Sequence, residues 1–185
     1  MVIQDIWFDL KDGRKALLRS PKEEDVPGTL EYLVQSAGES EFILRYPEEC
    51  GKYTYEKETA FFEAKNASPT DAMLMCLVDG KVVGNCDIMA MPNMKSRHRC
   101  RVAVALLKDY WNLGIGTRMF RELIAIAEGM PQITQMELEF IEGNDRARHL
   151  YEKSGFRIVA VHPNAYRLRD GSFRNEYMMI REIKR

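Results

Sequence analysis

The most informative stretch of this chain is Lys108-Asp109-Tyr110-Trp111-Asn112-Leu113-Gly114-Ile115-Gly116-Thr117, which follows an apolar run and precedes an amphipathic segment. This order predicts a strand, a glycine-rich turn and a helix. Because glycine has no Cβ, the backbone at Gly114 and Gly116 can approach a ligand closely. The first turn of the helix adds unpaired N–H donors and a positive dipole end. The stretch therefore predicts a phosphate-binding turn, although a tight strand-to-helix connection would read the same way.

A second informative segment is Asn144-Asp145-Arg146-Ala147-Arg148-His149-Leu150-Tyr151-Glu152-Lys153-Ser154-Gly155-Phe156, which follows another predicted strand. Its first residue is typical of a helix N-cap, and its glycine is typical of a helix end. Alone, neither segment is specific. The first lacks the third glycine of a Rossmann fingerprint and the Gly-Lys-Ser/Thr of a P-loop.

Together the two segments resemble the GNAT superfamily of acyl-CoA-dependent N-acyltransferases, over about the second half of the chain. In that family a Gln/Arg-x-x-Gly-x-Gly/Ala turn holds the CoA pyrophosphate, and an Asn-x-x-Ala-x-x-Leu-Tyr-x-x-x-Gly-Phe segment lies beside the pantetheine and the thiol. The second pattern is complete here, at Asn144, Ala147, Leu150, Tyr151, Gly155 and Phe156. The first pattern departs at Trp111, which stands in the Gln/Arg position.

The resemblance implies an α/β (α+β) GNAT fold with acetyl-CoA as the acetyl donor. The implied central sheet is mixed, mostly antiparallel and of about seven strands, with flanking helices and two central strands that splay apart at the CoA site. The residues implied to contact acetyl-CoA are Val104, Ala105, Leu106, Asn112, Leu113, Gly114, Ile115, Gly116, Thr117, Asn144 and Tyr151. An N-cap role would explain Asn144 equally well.

Two side chains are candidates for proton transfer. Acetyl transfer to an amine needs a neutral nucleophile, a stabilised carbonyl oxygen and a proton for the leaving thiolate. Tyr151 matches the family's proton donor, since a phenol stays protonated at neutral pH, although a buried core aromatic would look alike. Glu139 matches a position where members that modify peptide N-termini carry a catalytic glutamate. Glu137 and a water chain are the alternatives for the base, and an ordinary solvated strand face would explain both glutamates.

Composition excludes several classes of protein. The 185 residues are 45% hydrophobic and 30% charged, which fits one soluble domain over residues 1–185. Lys+Arg at 27 against Asp+Glu at 28 gives a net charge of −1, so no overall basic field is available for nucleic acid. No apolar run approaches the roughly 18 residues of a membrane span, and no signal-peptide pattern is present. Four cysteines without metal-ligand spacing predict reduced thiols in the cytoplasm and no metal site.

The remaining segments predict the scaffold. Ser20-Pro21-Lys22-Glu23 has the N-cap, first-turn proline and N3 glutamate of a helix start. The buried face of that helix is predicted to carry Val26, Leu30, Leu33 and Val34. A second helix is predicted over residues 55–66, where the resemblance implies the acceptor side. Turns at Asp12-Gly13, Asp79-Gly80 and Asp170-Gly171 predict three hairpins.

The first function hypothesis is transfer of the acetyl group of acetyl-CoA to a primary amine, by direct attack in a ternary complex. The acceptor, a small-molecule or peptide amine, is not identified by the sequence. A catalytically silent acyl-CoA-binding regulatory module is the alternative, and a nucleotide-phosphate-binding protein without a P-loop lysine is the third. By fold analogy, the terminal hairpin is the edge at which a homodimer would form.

Overall fold

The computed structural model describes residues 1–183. In this part of the chain four helices flank eight strands. The helices are α1 Val26–Glu39, α2 Tyr55–Ala67, α3 Ile115–Glu128 and α4 Asp145–Lys153. The strands are β1 Ile6–Asp9, β2 Lys15–Arg19, β3 Ala72–Val78, β4 Lys81–Ala90, β5 Arg99–Leu106, β6 Gln135–Ile141, β7 Arg157–Arg167 and β8 Phe173–Glu182.

The strands form one sheet in the order β1-β2-β3-β4-β5-β6-β8-β7. Strands β5 and β6 are parallel, over the register from Arg99–Gln135 to Arg101–Glu137. The pairs β1–β2, β2–β3, β3–β4, β6–β8 and β7–β8 are antiparallel. The predicted mixed, mostly antiparallel sheet with flanking helices is confirmed, with one strand more than the expected seven.

Backbone contacts divide the chain into two compact units. The first unit comprises residues 1–89 and 103–119, and the second comprises residues 90–102 and the chain from Phe120 onward. Strand β5 and helix α3 each begin in one unit and end in the other. A single domain over residues 1–185 stays a prediction.

In the first unit, α1 and α2 pack on the sheet. The buried cluster between them consists of Val26, Tyr32, Phe62, Met73, Met75, Leu77, Val82 and Leu107, with Leu17, Leu30, Leu33, Ala105 and Tyr110 packed against it. The Tyr32 hydroxyl at the centre of this cluster donates to Asn85 Oδ1 at 2.9 Å, which satisfies a buried polar group. The predicted buried face of α1 was wrong at Val34, which is 47% exposed.

The start of α1 also differs from the prediction. Residues Glu23–Asp25 form a short 3-10 turn, and the α-helix begins at Val26. The Ser20 hydroxyl does not cap a helix but accepts from the Ile3 N–H at 2.8 Å. The turn is held instead by Asp25, whose carboxylate binds the Arg19 guanidinium through two bonds of 2.6 and 2.8 Å. Both side chains are buried, and 5% of each residue is exposed.

Strands β4 and β5 come unusually close at Gly84. The Leu107 N–H donates to Val83 O at 2.9 Å beside this position. A Cβ on Gly84 would lie 2.7 Å from Ala105 O and 2.7 Å from Leu106 Cδ1. Because real Cβ atoms do not approach a carbonyl oxygen so closely, only glycine fits here.

In the second unit, α3 and α4 contribute aromatic rings to one core. The Phe120 ring lies 5.3 Å from that of Tyr151 and 5.7 Å from that of Phe156. The long hairpin of β7 and β8 completes this unit, with β7 as an edge strand. Its register shifts between His162 and Tyr166, and Asn164 within the shift has a φ of 52°.

The three hairpins predicted from Asp-Gly pairs are confirmed. At Asp79 and Gly80 the φ angles are 51° and 76°, as a two-residue turn with left-handed geometry requires. The four cysteines are buried free thiols. Across residues 1–183, no helix combines the length and the apolar character needed to cross a membrane.

Candidate active site

The glycine-rich turn leads directly into α3, as predicted. Asn112 and Gly114 have positive φ angles of 63° and 98°. The first helical bond runs from the Arg118 N–H to Gly114 O at 3.1 Å. The N–H groups of residues 115–117 precede that bond, and no described residue accepts from them. They are therefore open donors at the positive end of a 14-residue helix, which is the arrangement that binds phosphate.

The two glycines of this turn lie in different local structures. Gly114 has a φ of 98°, in the left-handed region that favours glycine, while a Cβ there would meet nothing within 4 Å. The backbone conformation, and not a lack of space, is therefore what favours glycine at this position. Gly116 lies inside the first turn of α3 and is half-buried. Close approach of a ligand to the backbone at these two glycines stays a prediction.

Trp111 stabilises the turn, because the only polar group of its side chain is bonded within the protein. Its indole Nε1, the one donor of that side chain, donates to Leu106 O at 2.9 Å. The Lys11 N–H donates to Leu113 O at 3.2 Å, so the β1–β2 turn also holds this segment. On the other side, Glu39 Oε2 accepts from the Lys108 N–H at 2.6 Å. The turn is thus pre-formed by contacts within the first unit.

The last part of β5 lies immediately before this turn. Val104, Ala105 and Leu106 are all half-buried. Ala105 packs against the cluster under α1 and α2, and its carbonyl oxygen faces Gly84. The Leu106 carbonyl already accepts from Trp111. Contacts from this strand to pantetheine stay a prediction.

Tyr151 has a buried ring and an uncommitted hydroxyl. It is 9% exposed, and the rings of Phe120 and Phe140 lie 5.3 and 5.8 Å from its own. Burial raises the pKa of Tyr151 to about 12, against a smaller lowering by Arg146. Among residues 1–183 its hydroxyl has no hydrogen-bond partner. The phenol is therefore protonated at neutral pH, with its proton free to be donated.

Asn144 is the N-cap of α4. Its Oδ1 accepts from the Ala147 N–H at 3.3 Å, which satisfies one of the open donors of the helix. Its Nδ2 donates to no residue in the described chain. The N-cap role is confirmed, and a ligand contact through Nδ2 stays a prediction.

The two candidate glutamates of β6 have different surroundings. Glu137 is 3% exposed and accepts from Arg99 at 2.9 Å and from Gln135 at 2.6 Å. The expected solvated strand face is therefore wrong at Glu137, because Arg99 reaches it from the parallel strand. Glu139 pairs with Arg101 at 3.3 Å, and 26% of its side chain is exposed. Glu139 is the more accessible of the two carboxylates.

Glu139 and Tyr151 belong to opposite faces of β6. Consecutive strand residues point to opposite faces, and Phe140, the neighbour of Glu139, contacts the Tyr151 ring. Within the second unit the two candidate groups therefore do not meet side by side. This separation could not be predicted from the sequence, because a sequence pattern does not say against which face of the sheet α4 packs.

The sequence analysis missed a phenol–carboxylate pair on the face of Glu139. The Tyr166 hydroxyl donates to the Glu176 carboxylate, and Glu176 lies opposite Ile141 in the β6–β8 register. Burial, the hydrogen bond to Glu176 and the charge of Glu139 all raise the pKa of Tyr166. Glu176 and Met178 lie two residues apart and therefore on one face of β8, with Met178 opposite Glu139, and this spacing was the available signal.

The structure thus distributes the predicted residues over the two units. The first unit holds the strand end and the turn, from Val104 to Thr117, and the second holds Glu139, Asn144 and Tyr151. No group of three or more His, Cys, Asp or Glu in residues 1–183 is arranged to hold a metal ion.

Comparison with known proteins adds three similarities. The L-amino acid N-acetyltransferase AaaT of Escherichia coli K12 is 26% identical over 113 residues, which is 61% of this chain and 69% of that protein. An acetyltransferase of the GNAT family from Streptococcus pneumoniae superposes with a TM-score of 0.85 at 25% identity, over 91% of this chain and 99% of that one. The yncA protein of Salmonella typhimurium, solved with acetyl-CoA, superposes with a TM-score of 0.77 at 16% identity, over 91% of this chain and 94% of that one, and supports the fold alone.

A family model described as the acetyltransferase (GNAT) family matches residues 39–156. This range contains the glycine-rich turn, both β6 glutamates and Tyr151. It covers more than half of the 185 residues, and the structure superposes on a GNAT-family member with a TM-score of 0.85. The chain therefore belongs to the GNAT acetyltransferase family.

Proposed function

We propose that this protein is an N-acetyltransferase that moves the acetyl group of acetyl-CoA to a primary amine by direct attack in a ternary complex. The observation that carries the proposal is the Tyr151 hydroxyl, which is protonated and unpartnered inside an aromatic pocket. Family membership and the similarity to an L-amino acid N-acetyltransferase support it. The acetyl-CoA in the yncA structure supports the choice of donor.

The glycine-rich turn is assigned to the pyrophosphate of acetyl-CoA. The residues assigned to it are Asn112, Leu113, Gly114, Ile115, Gly116 and Thr117, whose backbone includes the open N–H groups at the start of α3. Backbone groups of Val104, Ala105 and Leu106 are assigned to pantetheine. Asn144 is assigned a contact through Nδ2, which its capping bond leaves unused. Because backbone donors need no particular side chain, tryptophan at position 111 is compatible with phosphate binding.

In the proposed reaction the neutral amine attacks the thioester carbonyl carbon, and the carbon–sulfur bond breaks as the amide forms. The departing sulfur takes a proton from the Tyr151 hydroxyl, and the proton lost by the nitrogen returns the phenol to its neutral form through solvent. The raised pKa of Tyr151 favours this role, because the phenol stays protonated throughout the neutral range. No metal is assigned a part.

Glu139 is the group proposed to help the amine lose its proton. A carboxylate is a far weaker base than an alkyl amine, so Glu139 acts by relaying the proton through water or by orienting the amine. The ion pair with Arg101 at 3.3 Å positions the Glu139 carboxylate. Glu137 is less suited to the task, because two donors already occupy it.

The acceptor is proposed to be a small-molecule or peptide amine rather than a nucleic acid or a membrane component. The net charge of −1 supports the exclusion of nucleic acid. The free, buried cysteines support a cytoplasmic location. The exposed edge strand β7 is the surface proposed for a homodimer.

The test of the assignment is Tyr151→Phe, which removes the hydroxyl and keeps the ring. We expect kcat to fall by roughly 10²-fold, the usual scale of general acid catalysis, while the acetyl-CoA Kd measured by calorimetry stays unchanged. Tyr177→Phe is the matched control, since Tyr177 stacks on Phe140 in the same aromatic cluster at 5.3 Å. Full kcat in Tyr151→Phe would refute the acid assignment.

The same assay separates the alternatives. Release of free thiol is measured for the wild-type protein with a panel of amines. Binding of acetyl-CoA without amine-dependent thiol release would identify the silent acyl-CoA-binding module. Displacement of CoA by ATP in a competition experiment would instead support a nucleotide-phosphate-binding protein.

A further inference from the structure

Helix α2 buries a carboxylate that the protein leaves unpaired. Glu58 is 8% exposed, and among residues 1–183 no side chain or backbone donor binds its carboxylate. On the same face of α2, the other buried charge, Lys65, is paired with Asp87 at 3.1 Å. A buried charge without a partner is costly, so a chain that needed only a stable helix would not place one here.

An arginine with a spare donor is held nearby. Arg45 Nη2 donates to Leu33 O at 3.3 Å and to Ser36 Oγ at 3.0 Å, and the guanidinium lies 5.9 Å from the Tyr53 ring centre. These contacts position the guanidinium. Its Nε is buried and has no hydrogen-bond partner in the described chain. The Nη1 group also makes no hydrogen bond within residues 1–183 and, unlike Nε, is not enclosed, so it is the donor open to a ligand.

The two groups influence each other without forming a pair. Burial raises the pKa of Glu58, and the positive charge of Arg45 opposes that rise. No ion pair joins them in residues 1–183. A carboxylate and a guanidinium that no group of residues 1–183 pairs thus lie within each other's field. A molecule that carries an amino group and a carboxylate would satisfy both.

The position of this pair connects it to β5. Phe62, one helical turn after Glu58, belongs to the buried cluster under α1 and α2. Leu33, whose carbonyl binds Arg45, packs against that cluster. Ala105 packs against it as well, and Ala105 lies in the stretch assigned to the cosubstrate. Arg45 and Glu58 therefore border the buried cluster against which Ala105, in the stretch assigned to the cosubstrate, also packs.

We propose that Arg45 and Glu58 bind the acceptor, and that the acceptor is a free α-amino acid. Arg45 binds its carboxylate, and Glu58 accepts a hydrogen bond from its amino group and orients it. This assignment rests on the proposed N-acetyltransferase function. It makes both side chains positioning and specificity residues, and it leaves the proton transfers to other groups.

The first test uses Glu58→Gln, with Glu63→Gln on the exposed face of α2 as the matched control. With the best-accepted of the common L-amino acids, we expect the KM of Glu58→Gln to rise roughly tenfold or more through loss of a charged hydrogen bond. The acetyl-CoA Kd should not change. The melting temperature should not fall, because the substitution removes an unpaired buried charge. The control should match the wild type in all three quantities.

A purely structural role for Glu58 predicts the reverse result. In that case the melting temperature of Glu58→Gln falls while the KM for the amino acid stays at the wild-type value, and this outcome would overturn the proposal. An increase in KM that is matched by an equal loss of acetyl-CoA affinity would also overturn it, since the defect would then be general.

The second test varies the acceptor together with Arg45. The same amino acid is compared with its amide and with the amine that lacks the carboxylate. We expect the wild type to prefer the amino acid by about tenfold or more in kcat/KM, and Arg45→Lys, which keeps the charge but loses the fork, to abolish most of that preference.

The outcomes also separate this inference from the proposed function. Equal wild-type activity on the amino acid, the amide and the amine would refute the inference and leave an N-acetyltransferase. Activity on other amines but on no free amino acid would do the same. Binding of acetyl-CoA without acetylation of any amine would refute the proposed function itself.

Discussion

The substitution Gly84→Ala places a methyl group against the main chain of β5. The added Cβ would lie 2.7 Å from Ala105 O, 2.7 Å from Leu106 Cδ1 and 3.3 Å from Leu106 Cα. The Leu106 side chain can rotate away, but the Ala105 carbonyl belongs to the strand and cannot. Overpacking of this kind costs about 1–3 kcal/mol. For a chain of this size that corresponds to a fall in melting temperature of roughly 2–12 °C.

Thermal unfolding followed by circular dichroism measures this effect. Gly51→Ala is the matched control, because a Cβ at Gly51 would meet nothing within 4 Å. We expect the melting temperature of the control to stay the same or to rise slightly, since alanine restricts the unfolded chain. Equal melting temperatures for Gly84→Ala and the wild type would refute the close approach of β4 and β5.

The same variant tests the role of β5 in binding. A shift of Ala105 and Leu106 moves backbone groups that are assigned to pantetheine. Calorimetry should therefore give a weaker acetyl-CoA affinity for Gly84→Ala and an unchanged affinity for Gly51→Ala. A lower melting temperature with unchanged affinity would contradict the assignment of that strand to the cosubstrate.

Four further predictions test other parts of the molecule. Asp25→Asn leaves the Arg19 guanidinium buried without its carboxylate, so urea unfolding should give a stability lower by about 3–5 kcal/mol; wild-type stability would show that the pair is dispensable. Gly116→Val should keep the fold but weaken acetyl-CoA binding in calorimetry, and an unchanged affinity would argue against the phosphate turn. Glu139→Gln should lower kcat/KM at neutral pH and steepen its rise toward alkaline pH, where the acceptor supplies its own neutral amine; profiles parallel to the wild type would remove Glu139 from the reaction. Acetyl-CoA should be preferred over longer acyl chains, because the side chains of residues 104–107 are not unusually small, and comparable turnover of a long-chain acyl-CoA would contradict this.

Features that depend on local chemistry were predictable from the sequence. The Asp79-Gly80 hairpin, the strand–turn–helix order around Gly114 and the N-cap at Asn144 each depend on the conformational preferences of a few neighbouring residues. The GNAT fold followed from two such segments in the right order. Their spacing carries fold information because each motif implies a particular element.

Features that depend on distant partners were not predictable. Ser20 has every local signal of an N-cap, but its hydroxyl is used by Ile3, and the buried Arg19–Asp25 pair sets the start of α1 further along. Glu137 looked like a solvated strand residue until Arg99, 38 residues away, was brought beside it by parallel pairing. Long-range ion pairs leave no periodic pattern in a sequence.

The same difference between local and long-range features applies to the residues of the candidate site. The turn at Gly114 was predicted correctly as a turn because its backbone geometry favours glycine, and Tyr151 was proposed as a site residue because it lies in a motif. The unpaired groups of Arg45 and Glu58 were not predicted, since no spacing pattern marks an arginine in the loop after α1 or a buried glutamate on α2. The Tyr166–Glu176 pair was missed because it depends on the β7–β8 register.

The register shift in β7 has a consequence for self-association. An edge strand of 11 residues offers a row of unpaired backbone groups on which another chain could grow as a further strand. Pro163 contributes no N–H to that row, and the left-handed Asn164 turns the next groups out of line. The exposed Val159 and Val161 lie before this break, and a second register shift falls between Ile158 and Ala160, so the edge is interrupted at two places. These interruptions disfavour the addition of a continuous further strand along β7.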